Sequence, residues 1–325
     1  MQSLYHVYKL RKGGKLMFKR SVVILLVVII GISMLGALFV APKVKQSKLV
    51  SHDKIAIVYV DGMIVGGRGQ VGLLTEGGGT DTLIRQLHQA RDDASVKAII
   101  LRINSPGGTV PASQEVGEEL KKIRAAGKPV ITSMADMAAS GGYWLAACTD
   151  KIYANPSTIT GSLGVYMPYS NWEELYKKIG VRQEKIKSGP HKDILSPDRQ
   201  LTEEERAIIQ VMVDDMYNQF VEVIAVGRRL DPDKVRELAD GRIYTGRQAK
   251  EAGLVDELGN MYDAIDGAAN MVGIQGEPEI IEYGKKNVIE SLFGAQDTHK
   301  PEQLMLKQLT EILSSAGPAA APQSY

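Results

Sequence analysis

The sequence predicts an α/β protein in which a largely parallel β-sheet is flanked by helices. Short runs of β-branched and apolar residues, typical of buried strands, alternate along the chain with segments of helical periodicity. Strands that alternate with helices at this spacing form βαβ units, whose strands pair in parallel. Glycine-bearing turns follow several strands, which is where an α/β sheet places its ligand site. The 325 residues are 44% apolar and 24% charged, enough for one large domain or two ordinary ones.

An uncharged apolar segment of 20 residues lies near the N-terminus, at positions 22–41. At about 1.5 Å rise per residue, such a helix spans roughly 30 Å, the thickness of a membrane core. Six basic residues precede it and three follow it, which favours a cytoplasmic N-terminus and an extracytoplasmic body. A cleaved signal peptide is the alternative, but the segment is long for one and Phe39 stands where a small residue is needed. We therefore expect a single-pass protein of the cell membrane.

The net charge of +1 hides an uneven distribution. Residues 1–52 contain nine Lys or Arg and no acidic residue, so the body carries 30 basic against 38 acidic side chains. An acidic body disfavours nucleic-acid binding, because neutralising phosphates requires a basic surface. Cys148 is the only cysteine, which rules out an intramolecular disulfide and a Cys-rich metal site. The sequence contains neither a P-loop nor a His-Glu-x-x-His motif, so no metal and no cofactor are expected.

The predicted elements follow one another from residue 54. Strands are predicted at 55–60, 98–103, 130–134 and 152–154. Helices are predicted after Gly79, before Gly127, over 143–148, from a capping box at Thr202 and Glu205 to about Arg229, and again from Asp231. The apolar stripe of the first helix contains Leu83, Ile84, Leu87 and Ala90, and that of the long helix contains Ile209, Met212, Met216, Phe220 and Ile224.

Two glycine-bearing turns at strand ends have the residues that acyl transfer requires. In Ser105-Pro106-Gly107-Gly108, paired glycines let backbone N–H groups converge on one spot, as an oxyanion hole requires. Ser140 lies at a strand-to-helix turn between small residues, which leave its hydroxyl open to attack a carbonyl. Ala138 replaces the first glycine of the usual nucleophile elbow, so a strict α/β-hydrolase match fails. Each turn is equally well explained by tight packing alone.

A nucleophilic serine needs a base, and two adjacent residues are candidates. Of the five histidines, only His191 is plausible for a Ser-His-Asp triad. Lys192 beside it can act only when its amine is neutral, which requires burial against apolar surface. Ser162, in the glycine-serine loop at 160–164, is a candidate to hold that amine. By itself, however, Lys192 has the features of an ordinary surface lysine.

Five motifs, in one order along residues 54–285, resemble those of the signal peptide peptidase A family. They occupy residues 105–108, 137–143, 160–165, 191–197 and 242–256. The chain resembles the short, single-repeat form of the family, which is found in Gram-positive bacteria.

The resemblance implies a serine endopeptidase with a Ser-Lys dyad on a fold similar to the cores of crotonase and Clp protease. It assigns Ser140 as the nucleophile, Lys192 as the general base and Ser162 as the hydroxyl that orients the lysine. The backbone N–H groups of Gly107 and Ser140 would form the oxyanion hole. It implies remnant signal peptides and other peptides as substrates, and a homo-oligomer. In the short form this is an octameric ring whose Ser and Lys come from neighbouring subunits.

The expected organisation is a cytoplasmic N-terminus at 1–21, a transmembrane helix at 22–41 and a tether at 42–53. A protease domain at 54–295 and a C-terminal helix with a flexible tail at 296–325 follow. Two other functions remain open, a crotonase-like acyl-CoA enzyme and a non-enzymatic membrane scaffold. A third alternative keeps the protease but uses His191 as the base.

Overall fold

Buried apolar strands form a mixed, mostly parallel sheet at the centre of the computed structural model, which describes residues 53–68 and 79–284. The strands are β1 (Lys54–Asp61), β2 (Val96–Ser105), β3 (Val130–Ala139), β4 (Lys151–Ala154), β5 (Ile159–Gly161), β6 (Ile243–Thr245), β7 (Glu257–Leu258) and β8 (Glu279–Tyr283). They run in the order β6-β5-β3-β2-β1-β8, and β4 pairs with β3 and β7 beside this path. Among the described pairs, β5 with β6 is antiparallel and the others are parallel.

Helices cover both faces of the sheet. The helices are α1 (Thr80–Asp92), α2 (Val110–Ala125), α3 (Gly141–Ala147), α4 (Glu173–Ile179), α5 (Glu203–Arg228), α6 (Pro232–Leu238), α7 (Gly246–Glu251) and α8 (Met261–Val272). Because side chains alternate along a strand, Ile55 and Ile57 of β1 pack with α8 on one face, while Ala56 and Val58 belong to the core on the other. That second face carries α1, α2, α3 and the C-terminal half of α5.

Within the described residues, the strands and helices predicted between residues 54 and 238 are confirmed, and several are longer than expected. The third predicted strand continues from residue 134 to Ala139, so that β3 leads directly into Ser140. The stripe of α1 buries Leu83, Leu87 and Ala90. Strands β5 to β8 and helices α4 and α7 were not predicted, because elements of two to seven residues carry too few side chains to show a period.

The long helix α5 packs against the core only through its C-terminal half. Phe220 and Ile224 are buried, and the ring of Phe220 lies 5.0 Å from that of Trp144. Met212 is 48% exposed, and Ile209 and Met216 are only partly buried. The prediction that the whole stripe faces the core is therefore wrong for the N-terminal half, because no other described element covers it. The predicted capping box at its start is confirmed.

The terminal segments lie outside the described residues. These are the predicted cytoplasmic N-terminus at 1–21, the transmembrane helix at 22–41, the tether at 42–53 apart from Asp53, and the tail at 296–325. Within residues 53–68 and 79–284, no helix is both long enough and apolar enough to cross a membrane.

Gly227 lets α5 lie directly against the backbone of α3. A Cβ atom at this position would lie 1.8 Å from the carbonyl oxygen of Ala147. In an open helix a Gly-to-Ala change stabilises by about 1 kcal/mol, but a backbone contact this short forces the two helices apart. We expect Gly227→Ala to lower the free energy of unfolding by about 2 kcal/mol, measured by urea denaturation.

The matched control is Val226→Ala on the same helix, where the side chain is 72% exposed. It should change the free energy of unfolding by less than about 0.5 kcal/mol. A urea midpoint for Gly227→Ala as high as that of Val226→Ala would contradict the close approach of the two helices.

Candidate active site

Three glycine-bearing turns meet at the carboxyl ends of neighbouring parallel strands. Ser105 at the end of β2 lies opposite Ala138 of β3, and Ala139 lies opposite Gly161 at the end of β5. Ser140 and Ser162 therefore follow paired residues on adjacent strands, which lie about 4.8 Å apart in a sheet. The structure thus brings the 105–108 turn, Ser140 and Ser162 to one edge of the sheet.

Ser140 occupies a strained turn between β3 and α3. Its backbone has φ 51° and ψ −117°, a conformation that costs an L residue on the order of 1–3 kcal/mol. Two hydrogen bonds hold it there: its N–H donates to the carbonyl of Gly161 at 2.8 Å, and its carbonyl accepts from the N–H of Trp144 at 2.9 Å. The side chain is partly exposed between buried neighbours, so the turn presents the hydroxyl at the surface.

The 105–108 turn is pressed against this serine. A Cβ atom on Gly107, whose φ is +107°, would lie 2.7 Å from the nitrogen of Gly141 and 2.8 Å from Cβ of Ser140. On its other side, Gly108 forms a parallel bridge with Ile64. A Cβ atom on Gly108 would lie 1.8 Å from the carbonyl oxygen of Ile64. The two glycines are therefore required because backbone approaches them from both sides.

The two amides that were expected to form the oxyanion hole are engaged elsewhere. The N–H of Gly107 donates to Oγ of the buried Ser105 at 3.1 Å. The N–H of Ser140 donates to Gly161, as described above. This departs from the assignment of Gly107 and Ser140, because hydrogen bonds within the turn and to β5 already use both donors.

Two other amides, those of Gly108 and Gly141, lie near each other at the same place. Both hydrogen bonds of the Ile64 bridge are made by the residues that flank Gly108, so the N–H of Gly108 points away from Ile64. The nitrogen of Gly108 lies 3.1 Å from the position that a Cβ atom of Gly141 would take. Gly141 begins α3, and a first helical N–H has no acceptor within its own helix. In the described part of the chain, neither amide has an acceptor.

Ser162 repeats the backbone conformation of Ser140 on the next strand. Its φ is also 51°, and its N–H donates to the carbonyl of Arg242 at 2.8 Å. Arg242 directly precedes β6, so the antiparallel pairing of β5 with β6 fixes the turn that carries Ser162. The hydroxyl is partly exposed and makes no hydrogen bond within the described ranges. Part of the C-terminal motif therefore supports the site by holding this turn.

No hydrogen bond joins the side chain of Lys192 to Ser140 within the described part of one chain. It lies in a turn at 189–196, where its own N–H donates to the carbonyl of Gly189 at 3.4 Å, and the residue is exposed. The described residues give its amine neither a hydrogen bond nor an ion pair. Lys192 is thus exposed in the described part of a single chain, and the expectation that its amine is buried against apolar surface stays a prediction.

His191 faces the first turn of α5. Its Nε2 lies 3.5 Å from a carboxylate oxygen of Glu204, and its Nδ1 is buried without a partner among the described residues. The only acidic group that the described structure pairs with His191 is therefore this exposed glutamate. That arrangement does not resemble the orienting acid of a Ser-His-Asp triad.

A cluster of ion pairs around the 189–196 turn was not predicted. Arg199 donates from Nε and Nη2 to the carboxylate of Asp193, at 3.0 and 2.8 Å. It also donates from Nη1 and Nη2 to Glu205, at 2.7 and 2.6 Å. Asp193 accepts a further hydrogen bond from Lys187 at 2.7 Å. Along the chain, Arg199 lies six residues after Asp193 and six residues before Glu205. This spacing matches neither a helix nor a strand, so the sequence did not predict these ion pairs.

These pairings lower the pKa of both carboxylates. Hydrogen bonds from Arg199, and then from Lys187, hold the pKa of Asp193 well below its usual range. Arg199, together with the backbone N–H of Thr202, lowers the pKa of Glu205 to about 2. Both groups are therefore carboxylates at any pH at which the protein would work.

The lowered pKa of Glu205 links stability to acid pH. Because its pKa falls from 4.5 to about 2 on folding, the ionised group stabilises the fold above pH 4.5, and this contribution is lost as the pH falls through about 2. We expect the urea midpoint of the wild type to fall over this range. Glu205→Gln should be less stable at neutral pH and should show a flatter decline.

The matched control for this titration is Glu203→Gln, an exposed position in the same helical turn. Its urea midpoint should follow the wild-type curve at every pH. A decline for Glu205→Gln as steep as that of the wild type would show that Glu205 does not carry this stability.

Comparison with known proteins identifies the family. The model of peptidase family S49 matches residues 122–275, and the model of Clp protease matches residues 75–160. The second match spans α1 to β5, the elements that position the three turns.

Three relatives cover most of the chain. A putative protease of Synechocystis is 43% identical over 72% of this chain and 79% of its own length. The putative signal peptide peptidase SppA of Enterococcus faecium is 42% identical over 66% of this chain and 63% of its own length. Protease 4 of Salmonella typhi is 36% identical over 82% of this chain, which spans only 43% of that protein. The chain belongs to peptidase family S49 and is a serine protease with a Clp-protease-like α/β fold.

Proposed function

We propose that the chain is a membrane-anchored endopeptidase that degrades remnant signal peptides with a Ser-Lys dyad, in which Ser140 is the nucleophile and Lys192 the general base. The observation that carries this proposal is the strained Ser140 turn, which meets two unpaired amides at the carboxyl edge of the sheet. The name of the Enterococcus faecium relative supports this substrate class. The apolar segment at 22–41 supports the anchor, and residues 54–295 would form the protease domain.

The oxyanion would be held by the amides of Gly108 and Gly141 rather than by those of Gly107 and Ser140. Gly141 directly follows Ser140, and the nitrogen of Gly108 lies 3.1 Å from the position that a Cβ atom of Gly141 would take; neither amide has an acceptor in the described structure. The N–H of Gly141 also lies at the positive end of α3, which favours developing negative charge. Ser105 would keep the 105–108 turn in the required shape through its hydrogen bond to Gly107.

Lys192 would come from a second copy of the chain. Its exposed amine lies on a part of the molecule rich in exposed apolar side chains, which we call the arm (residues 165–215). Apolar surface of this extent is typical of a surface covered by another protein. The exposed apolar side chains of the arm include Tyr166, Trp172, Leu175, Ile179, Val181, Ile186, Ile208, Val211 and Met212. Covering the arm with a neighbouring subunit would supply the dry surroundings that a neutral lysine needs, as in the octameric ring expected above.

The reaction then follows from the roles of these groups. The neutral amine of Lys192, oriented by the hydroxyl of Ser162, takes the proton from Oγ of Ser140 while Oγ bonds to the peptide carbonyl carbon. The two amides hold the oxyanion of the tetrahedral intermediate. The C–N bond then breaks, and the departing amine takes the proton from the lysine ammonium. The neutral amine of Lys192 then takes a proton from a water molecule as the water oxygen bonds to the ester carbon. The bond between this carbon and Oγ breaks, and the lysine ammonium returns its proton to Oγ of Ser140.

The decisive experiment uses the full-length protein and a fluorogenic peptide with small residues at the cleavage site. Ser140→Ala and Lys192→Ala should each abolish cleavage, while His191→Ala should keep most of it. The oligomeric state of each variant is checked by sedimentation. Activity of Lys192→Ala with loss of activity in His191→Ala would transfer the role of base to the histidine. An assembled wild type that cleaves none of these peptides would contradict the proposed substrate class.

A mixing experiment tests the shared site. Ser140→Ala and Lys192→Ala subunits, dissociated together and reassembled in equal amounts, should regain about a quarter of wild-type activity, because a quarter of neighbouring pairs combine an intact serine with an intact lysine. Each variant treated alone is the control and should stay inactive. Mixtures that stay inactive although reassembled would place both residues in the same subunit.

The close contact between Gly107 and Ser140 predicts a loss of activity without unfolding. Gly107→Ala should lower kcat/KM at least about 100-fold, because moving the turn displaces the proposed oxyanion donors. Gly67→Ala is the matched control, since Gly67 also has a positive φ of 82° but a Cβ atom there meets nothing within 4 Å. Equal kcat/KM values for the two variants would show that the turn does not position the site.

A further inference from the structure

Arg199 ties the turn that carries Lys192 to the start of the long helix α5. Its guanidinium bridges the carboxylate of Asp193, the residue directly after Lys192, and that of Glu205 in the first turn of α5. The side chain of Glu205 is only 2% exposed, and it also closes the capping box with Thr202. The hydroxyl of Tyr169 donates to the carbonyl of Arg199 and adds another tie to the same loop.

The geometry points to Arg199 as a positioning residue for Lys192. The guanidinium of Arg199 holds the turn at 189–196 against the start of α5, and it keeps the neighbouring carboxylate of Asp193 away from the lysine amine. This inference rests on the proposed role of Lys192 as the base. It assigns Arg199 no contact with substrate.

The charges around the turn support the second part of this role. Asp193 directly follows Lys192, yet its two oxygens accept hydrogen bonds from Arg199 and Lys187, and Lys185 lies 3.8 Å away. Among the residues that the structure describes, the amine of Lys192 has no ion pair, although Lys192 directly precedes Asp193. The other charged or titratable groups of the cluster are Asp198, which pairs with Lys185, His191 with Glu204, and Glu205 with Arg199.

An occupied carboxylate matters because of what a general base must do. A carboxylate without another cation beside a lysine favours the ammonium form, which cannot accept a proton from a serine. Arg199 engages Asp193 with two donors and remains charged at any working pH, so this carboxylate stays occupied. A lysine in its place could not bridge two carboxylates with two bonds each, because its ammonium is a single point charge.

The test compares Arg199→Met, Arg199→Lys and the double variant Arg199→Met with Asp193→Asn in the full-length protein. We expect Arg199→Met to lower kcat at least about tenfold. It should also move the acid limb of the kcat/KM profile to higher pH by about one unit, because Asp193 becomes free to pair with the lysine. Adding Asp193→Asn should return the acid limb to its wild-type position while kcat stays low. Arg199→Lys should lower kcat but leave the acid limb at its wild-type pH. Lysine keeps the positive charge beside Asp193 but cannot bridge both carboxylates, so this variant distinguishes the effect of charge from that of geometry.

The matched control is Arg247→Met, an exposed arginine on α7, outside the arm, to which the described structure gives no ion pair. It should leave kcat and the pH profile unchanged. Two results would overturn the inference, even if the variants also lost thermal stability. One is a kcat/KM profile of Arg199→Met whose acid limb lies at the wild-type pH. The other is an acid limb that stays at higher pH in the double variant. Failure of the proposed function is recognised separately, since Lys192→Ala would then remain active.

Discussion

The approach of three backbone turns within van der Waals distance at the carboxyl edge of the sheet is the constraint on which the site depends. Gly107 and Gly108 lie between Ile64 on one side and the Ser140 turn on the other, and neither contact leaves room for a Cβ atom. The strained φ of Ser140 persists because β5 accepts its N–H and α3 begins at the next residue. The hydrogen bond from the N–H of Ser140 to Gly161 holds the strained turn and also uses up this N–H. The proposed oxyanion hole therefore consists of the neighbouring amides that remain without an acceptor in the described structure.

The two halves of the proposed dyad are held by different kinds of interaction. Ser140 and Ser162 are fixed by strand pairing in a buried sheet, where a displacement of one residue would disturb the whole register. Lys192 is exposed and is carried by a turn whose shape depends on charge pairing with Asp193 and Glu205. Strand pairing is little affected by salt, whereas ion pairs between partly exposed groups weaken as the salt concentration rises. The position of Lys192, the proposed base, is therefore the part of the site that salt affects most.

The sequence was sufficient to predict the sheet core and the turn at Ser140, because both leave local signals. Runs such as 98–103 are mostly apolar since they are buried on both faces, and small residues mark the sites where backbone approaches backbone. The proposed oxyanion amides could not be predicted, because the proposal depends on a hydrogen bond between Ser140 and Gly161, which are distant in sequence. The exposure of the N-terminal half of α5 could not be predicted either. An apolar stripe indicates that a helix face is covered, but not whether the same chain or another molecule covers it.

The half-packed helix α5 has a consequence for how the enzyme would be controlled. If the arm of one copy delivers Lys192 to Ser140 of another, as proposed, a newly made chain contains a nucleophile without a base and has no peptidase activity of its own. Activity would then rise with the local density of subunits in the membrane rather than with their number in the cell. Such a protease needs no inhibitory propeptide, because dilution alone keeps it silent until enough copies accumulate in one place.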